Sequence, residues 1–283
     1  MGKTPVAFTV DVDRDAADFI AGKAEGGTRT AKGVSEKASF SASATGMGEI
    51  LLLLDELGIP ATFFLEGKTA SELENNIDKK LLHTMAKRHE IGSHGNEHED
   101  YTGQNTGVVM SRAEIEKSIE QSSKSIRRVF ATRPQGFRAP YMHYNEALDT
   151  IIRRSFDYDS SFYGKEIVCE RGFCRIPVFE DVDAEGKKIT GYLWPLMEGK
   201  RTPADYLKLA SSAAKKRADV LVLSTHSWHH KYSFDKGKPK PKARADGDLK
   251  KIGLVLKKIK ANPKFEFVTM SVALKSVRQK KGL

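Results

Sequence analysis

The sequence predicts one α/β domain organised around a parallel β-sheet, and three observations carry that expectation. Short apolar runs alternate with amphipathic stretches from one end to the other, the pattern of repeated strand and helix units. The chain has 283 residues, 39% of them hydrophobic, enough to bury one substantial core. No internal repeat or linker-like stretch divides it, so residues 1–283 are expected to form a single domain.

Strands are expected at 6–10 (VAFTV), 61–65, 90–93, 136–139, 158–161, 220–225 and 265–269. Helices are expected near 46–57, 75–88, 112–130, 145–155, 203–217 and 247–260. Local chemistry sets several ends: Ser111 with Glu114 reads as a capping box, and Gly58 and Pro60 close the first helix. Pro203 sits in a first turn, where its missing N–H costs nothing. Residues 22–43, rich in Gly, Ser, Thr and Lys, form a long loop after the first strand. Residues 164–202 read as a hairpin insertion turning at Glu185 and Gly186, and 231–245 as a basic, Pro-containing loop. Cys169 and Cys174 are no disulfide framework; free thiols are expected, with a loop-closing disulfide as the alternative.

A formal charge of +10 and a pI near 9.4 suit an anionic partner such as a cell-wall polymer, a nucleotide sugar, a lipid phosphate or nucleic acid. Much of that charge lies on Lys-rich helix faces and in a basic tail, 271–283, where solvation accounts for it. No nucleic-acid partner is expected. The N-terminal apolar run is too short for a signal-peptide core, and no stretch is long enough to cross a membrane. The expected location is therefore cytoplasmic. Nothing in the sequence specifies an oligomeric state.

The first strand runs into Asp11 and Asp13, two apart and so on one side, an expensive arrangement unless a cation neutralises one of them. SHGNEHED places His94 and His98 at i and i+4, which one helical turn would bring to one face, as zinc sites require. Together with Asp13 they make a two-His, one-carboxylate set with positions left open for water and substrate. GFRAPY contributes Arg138, a fixed cation expected at the mouth of the site, and Pro140, which rigidifies the chain beyond it. VLVLSTHSWHH ends a buried strand at His226, where a general acid belongs, with His229 and His230 as competitors. Trp228 either walls a sugar ring or packs the loop.

Taken in order, TVDVD, SHGNEH, GFRAPY and LSTH resemble the polysaccharide deacetylases, also called the NodB-homology or carbohydrate esterase family 4, over about residues 5–270. The resemblance implies a distorted (β/α) barrel, seven-stranded here, with the site at the C-terminal ends of the strands. It implies Asp11 as catalytic base, Asp13, His94 and His98 as metal ligands, and Arg138 as the residue orienting the base. It also implies an oxyanion-binding backbone N–H at Tyr141, beyond Pro140, and His226 as general acid. Val12 separates two acids that are usually adjacent, a variant associated with peptidoglycan-deacetylase-like and allantoinase-like amidohydrolases. The family's Asp that tunes the catalytic His has no clear counterpart; Asp159 is favoured over Asp157, and Leu223 is the candidate for lining the acyl pocket.

The implied activity is removal of an N-acetyl group from an amino sugar or polysaccharide with a divalent ion, Zn²⁺ first and Co²⁺, Ni²⁺, Fe²⁺ or Mn²⁺ as alternatives. A rival keeps the site but takes a small amide, a cyclic imide or a formamido or acetamido sugar on a lipid or nucleotide. A rival of another class is a non-catalytic basic carbohydrate- or nucleic-acid-binding protein using 231–245.

Overall fold

The structure is a computed structural model that describes residues 2–15, 29–30, 33–34, 38–77, 79–233 and 238–282. Its central sheet contains β1 (Thr4–Val12), β2 (Ala61–Leu65), β3 (Glu90–Ser93), β4 (Gly136–Phe137) and β5 (Tyr158–Asp159). It continues with β6 (Val168–Glu170) and β7 (Phe173–Arg175), and β8 (Val178–Val182) and β9 (Lys188–Thr190) form a hairpin beside it. β10 (Leu221–His226) and β11 (Phe265–Phe267) complete the sheet. The order is β10-β1-β2-β3-β4-β5-β7-β6, with β11 on the start of β1; every pairing is parallel except that of β6 with β7. All seven expected strands are present, and the β6–β7 hairpin adds the remainder.

The helices are α1 (Ser41–Leu57), α2 (Gly67–Asn76), α3 (Lys79–Arg88), α4 (Arg112–Phe130), α5 (Glu146–Ser155), α6 (Pro203–Lys215), α7 (Lys242–Lys260) and α8 (Met270–Lys281). The helix expected near 75–88 is α3, and an additional helix not expected from the sequence, α2, precedes it, beginning after β2 and stopping at Asn75 and Asn76, poor helix formers. The capping box at Ser111 and Glu114 forms as expected. The basic tail is a helix rather than an appendage: Thr269 caps it, and Met270, Ala273, Leu274 and Val277 bury one stripe at three- and four-residue spacing. Of the loop at 22–43, residues 22–28, 31–32 and 35–37 lie outside the described residues; α1 already starts at Ser41.

Strand alternation sorts the interior. Val6, Phe8, Val10 and Val12 of β1, with Leu221 and Leu223 of β10, pack into the core shared with the surrounding helices. Residues of the opposite parity, Thr9 and Asp11 on β1 and Ser224 and His226 on β10, face the other way. They supply the polar groups at the centre of the curved sheet.

The 164–202 segment closes that curve. β8 and β9 form an antiparallel hairpin whose turn includes Gly186 at φ +76°, where the turn was expected. The Gly191 N–H donates to the Phe179 carbonyl (2.7 Å), Ser224 N–H to the Gly191 carbonyl (2.9 Å) and Leu193 N–H to the Ser224 carbonyl (2.8 Å). The chain from 191 to 193 thus lies along β10 and ties the hairpin to the sheet, so the insertion is a wall of the barrel. Cys169 and Cys174, expected as free thiols, form a disulfide across β6 and β7. The antiparallel register sets them directly opposite, a proximity that sequence spacing alone did not reveal.

Closure depends on one backbone approach. A Cβ at Gly191 would stand 2.0 Å from the Val222 carbonyl oxygen, and neither strand can yield without losing its ladder bonds. Gly191→Ala is expected to destabilise the protein by about 1–3 kcal/mol, read as a lower urea midpoint at unchanged m-value.

Candidate active site

The C-terminal ends of β1, β3 and β10 converge on one pocket. Asp11, the last inward residue of β1, is the ladder partner of His226 at the end of β10. Asp13 follows two residues on. His94 comes directly after β3, its N–H donating to the Leu65 carbonyl at 2.8 Å. Asp11, Asp13, His94, His98, Tyr141, His226 and Trp228, brought from four separated segments, all line this pocket.

Arg138 lies beneath the pocket, fully buried, not at its mouth. Its Nη1 donates to Asp11 Oδ1 (2.8 Å), Thr9 Oγ1 (2.9 Å) and Ser224 Oγ (2.9 Å). Its Nε donates to the Ser160 carbonyl (3.1 Å) and Nη2 to Ser160 Oγ (3.0 Å), while the guanidinium lies 4.3 Å from the Phe64 ring centroid. The other Asp11 oxygen accepts from the Tyr192 hydroxyl at 2.6 Å. Burial pushes the Asp11 carboxyl up, but the adjacent Arg138 charge, helped by His94, His226 and the Tyr192 bond, outweighs it and holds the group at about 2. Asp11 is an oriented, ionised carboxylate.

Asp13, His94 and His98 place one donor atom each within 4.8 Å of one another. The expected helical turn between the two histidines does not form. Residues 94–100 are bends and irregular chain, with Gly95 at φ +76° and His98 at φ +56°, a left-handed geometry that is uncommon for a histidine. His94 Nδ1 lies 2.8 Å from the Arg138 carbonyl, which can only accept; the proton is therefore on Nδ1, and Nε2 keeps its lone pair. Trp228 Nε1 donates to Asp13 Oδ1 (2.8 Å), and His98 Nε2 stands 3.2 Å from Asp13 Oδ2. Burial raises the Asp13 carboxyl to about 6, with Asp11 and Glu66 adding to the rise, and burial lowers His98 to about 4. Neutral imidazoles beside a carboxylate that burial penalises are a donor set a divalent cation would relieve, so the residues fit such an ion.

Other candidates fall differently. Pro140 opens a short turn (Pro140–Met142) in which Tyr141 and Met142 both have left-handed φ, 60° and 61°, and both residues line the pocket. Leu223 faces the helices, as its parity on β10 requires, and contributes its carbonyl to Thr9 rather than a side chain to the pocket. Asp159 is fully buried and accepts from the Ser161 hydroxyl, which in turn receives the Ala139 N–H at 2.7 Å. It makes no hydrogen bond to His226, and His226 Nδ1 has no partner among the described residues. Asp157 pairs with Arg133 at the surface. His229 and His230 are buried and held by Glu198 (3.1 Å) and Glu49 (2.7 Å).

Several site residues carry no sequence motif. Tyr192 and Trp194 come from the insertion, and with Tyr163 just before it they add an aromatic wall. Arg14 at the rim is bound to buried Glu66, which it meets through Nε at 2.9 Å and its own N–H at 2.8 Å. Asp15 accepts the Ser43 N–H (2.7 Å) and Ala42 N–H (3.1 Å), anchoring the start of α1. Acids at the ends of strands β1 and β2 were the signal available for this cluster.

Residues 41–157 match the sequence pattern of the family described as Polysaccharide deacetylase. No curated protein matches the chain significantly. Among solved structures, a putative polysaccharide deacetylase from Mycobacterium smegmatis is similar at 23% identity and TM-score 0.66, over 99% of this chain and 92% of that one. A probable polysaccharide deacetylase from Pseudomonas aeruginosa PAO1 is similar at 13% identity and TM-score 0.68, again over 99% and 92%. An allantoinase is similar at 15% identity and TM-score 0.64, over 97% and 90%. SHGNEH and GFRAPY lie within the matched segment and TVDVD and LSTH outside it, while the fold over the whole chain is that of the deacetylase (β/α) barrel.

The Arg138–Asp11 pair makes a pH-dependent contribution of known sign. Because the folded Asp11 value (about 2) lies below the ordinary 3.8, that stabilisation is present above about pH 4 and is lost as pH falls through about 2. Arg138→Met leaves a buried carboxylate without its counter-charge. We expect a loss of about 3–5 kcal/mol near neutral pH, shrinking as acid protonates Asp11, measured by denaturant midpoints across pH.

Proposed function

We propose that this polysaccharide-deacetylase-like chain is a metal-dependent hydrolase that cleaves the N-acyl bond of an amino sugar. The observation that carries the reading is Asp11 held between Arg138 and Tyr192 (2.8 and 2.6 Å) in the same pocket as the Asp13, His94 and His98 donor set. The deacetylase pattern over 41–157 supports it.

Asp13, His94 and His98 would hold the ion. When bound, it supplies Lewis acidity toward the amide carbonyl and makes a water more acidic. Asp11, kept ionised by Arg138, accepts the proton of the attacking water. The Tyr141 backbone N–H donates to the oxygen that gains charge as the carbon becomes tetrahedral. His226, across the β1–β10 ladder from Asp11, gives a proton to the departing nitrogen. Burial lowers His226 against the opposing pull of Asp13 and Asp11. The products are a carboxylic acid and a free amine, the water having supplied the oxygen and both protons.

The pocket favours a compact substrate end. Its volume is about 180 Å³, lined by Tyr141, Tyr163, Tyr192, Trp194 and Trp228, room for an acyl-amide group and little more than one ring. That observation also supports a second reading, a small amide or ureide substrate, given the likeness to an allantoinase fold.

Asp11→Asn keeps a hydrogen-bond acceptor for Arg138 and is expected to retain metal while losing turnover by at least about 10²–10⁴-fold. His94→Ala and His98→Ala are expected to lose stoichiometric metal, read by elemental analysis of purified protein. Full activity in Asp11→Asn would remove it as the base. Amine release measured on chito-oligomers and on a panel of small amides separates the two substrates: turnover of the oligomers is expected, and turnover confined to small amides would overturn the amino-sugar reading.

A further inference from the structure

At the N-terminal ends of β4, β5 and β7, opposite the site above, a second cleft of about 610 Å³ opens between the end of α5, the β6–β7 turn and α8. Arg133, Arg153, Arg154, Arg171 and Arg278 line it against only two acids, Asp157 and Glu170. Arg133 is matched to Asp157 at 3.4 Å and Arg153 to Glu170 at 3.3 Å. Arg278 donates through Nη2 to the Gly172 carbonyl (2.7 Å), which does not offset its charge. Arg154 and Arg171 have no ion-pair partner among the described residues. Three guanidinium groups therefore remain uncompensated around one concavity, an arrangement that repels itself when empty.

The β6–β7 turn adds an independent observation. Its two central residues, Arg171 and Gly172, both have positive φ (51° and 82°), as a tight two-residue hairpin turn demands. Asn or Gly suits the first of those positions; an arginine there accepts a left-handed backbone that its Cβ disfavours. Turn geometry thus gives no reason for Arg171. The Cys169–Cys174 disulfide closes the hairpin immediately behind it and holds the turn at the cleft. Part of this charge has a simpler role, since Arg153 and Arg154 occupy the last turn of α5, where cations complement the helix dipole. Arg278 shares that role in the last turn of α8, so the helix dipole leaves Arg171 unexplained.

We propose that this cleft is a binding site for a phosphate-type oxyanion, gripped by the planar forks of Arg154, Arg171 and Arg278. The anion is either free or carried on a sugar, and the site lies apart from the hydrolytic pocket.

The test is isothermal titration of inorganic pyrophosphate, and separately of glucose 1-phosphate, into the full chain at fixed ionic strength, with thermal melts in parallel. Saturable one-site binding that raises the melting temperature is expected. The exposed, unpaired pair Arg154→Ser/Arg171→Ser should weaken it at least about tenfold while leaving amide turnover unchanged, and His94→Ala should leave it intact. Tighter pyrophosphate binding would indicate a free anion, and tighter glucose 1-phosphate binding a sugar-borne one; either supports the site. Absence of saturable binding, or binding that survives the double substitution, would overturn the proposal. So would binding that disappears in His94→Ala, because the anion would then lie in the hydrolytic pocket.

Discussion

A guanidinium with no access to water has to find every partner inside the protein, and Arg138 does so by drawing four segments around its own. Asp11 and Thr9 come from β1, Ser224 from β10, Ser160 from the chain after β5, and the Phe64 face from β2. Leaving any one out would strand donors or a charge in a low-dielectric interior, where either is costly. The same residue fixes the site twice. Its side chain orients Asp11, and its carbonyl sets the His94 tautomer. The inward parity of β1 and β10, set by the alternation of valines, phenylalanine and leucines on their outer faces, is what lets this happen.

The metal-ligand set has comparable outer support. Trp228, weighed from sequence as either a sugar platform or loop packing, donates its indole N–H to Asp13 and so directs the carboxylate. Glu66, at the end of β2, occupies Arg14 and receives the Thr69 hydroxyl, so its negative charge is spent locally although it stands near the donors. His229 and His230 show the contrasting use of imidazole, each bound to a glutamate behind the pocket.

Much of this was legible in the sequence, for reasons that differ by element. The seven strands announced themselves because both faces of a parallel strand are covered and their apolar runs are therefore continuous. Asp11, Asp13, His94 and His98 were legible because metal chemistry restricts residue type and spacing so tightly. The helical geometry assigned to the two histidines was wrong, since the chain between them turns through Gly95 and a left-handed His98. Leu223 was misplaced because order along the chain was used where strand parity decides. Arg138 was expected at the mouth of the site because a lone arginine in a sequence shows its charge and not the five acceptors that would bury it. Tyr192 left no local signal, being tied to Asp11 only through long-range closure by the hairpin. The disulfide stood only as the alternative to free thiols because cross-strand register, which sets Cys169 opposite Cys174, is a property of the fold.

That closure has a bearing on biosynthesis. The contacts completing the pocket join residues far apart along the chain: 127 positions separate Arg138 from Asp11, 181 separate Tyr192 from Asp11, and 215 separate Trp228 from Asp13. A ribosome releases the two aspartates first and the tryptophan long afterwards, so a growing chain carries these acids without their partners for most of its synthesis. Loop-closure entropy delays such pairings further. Any truncation before residue 228 would leave the carboxylates present and the centre unassembled.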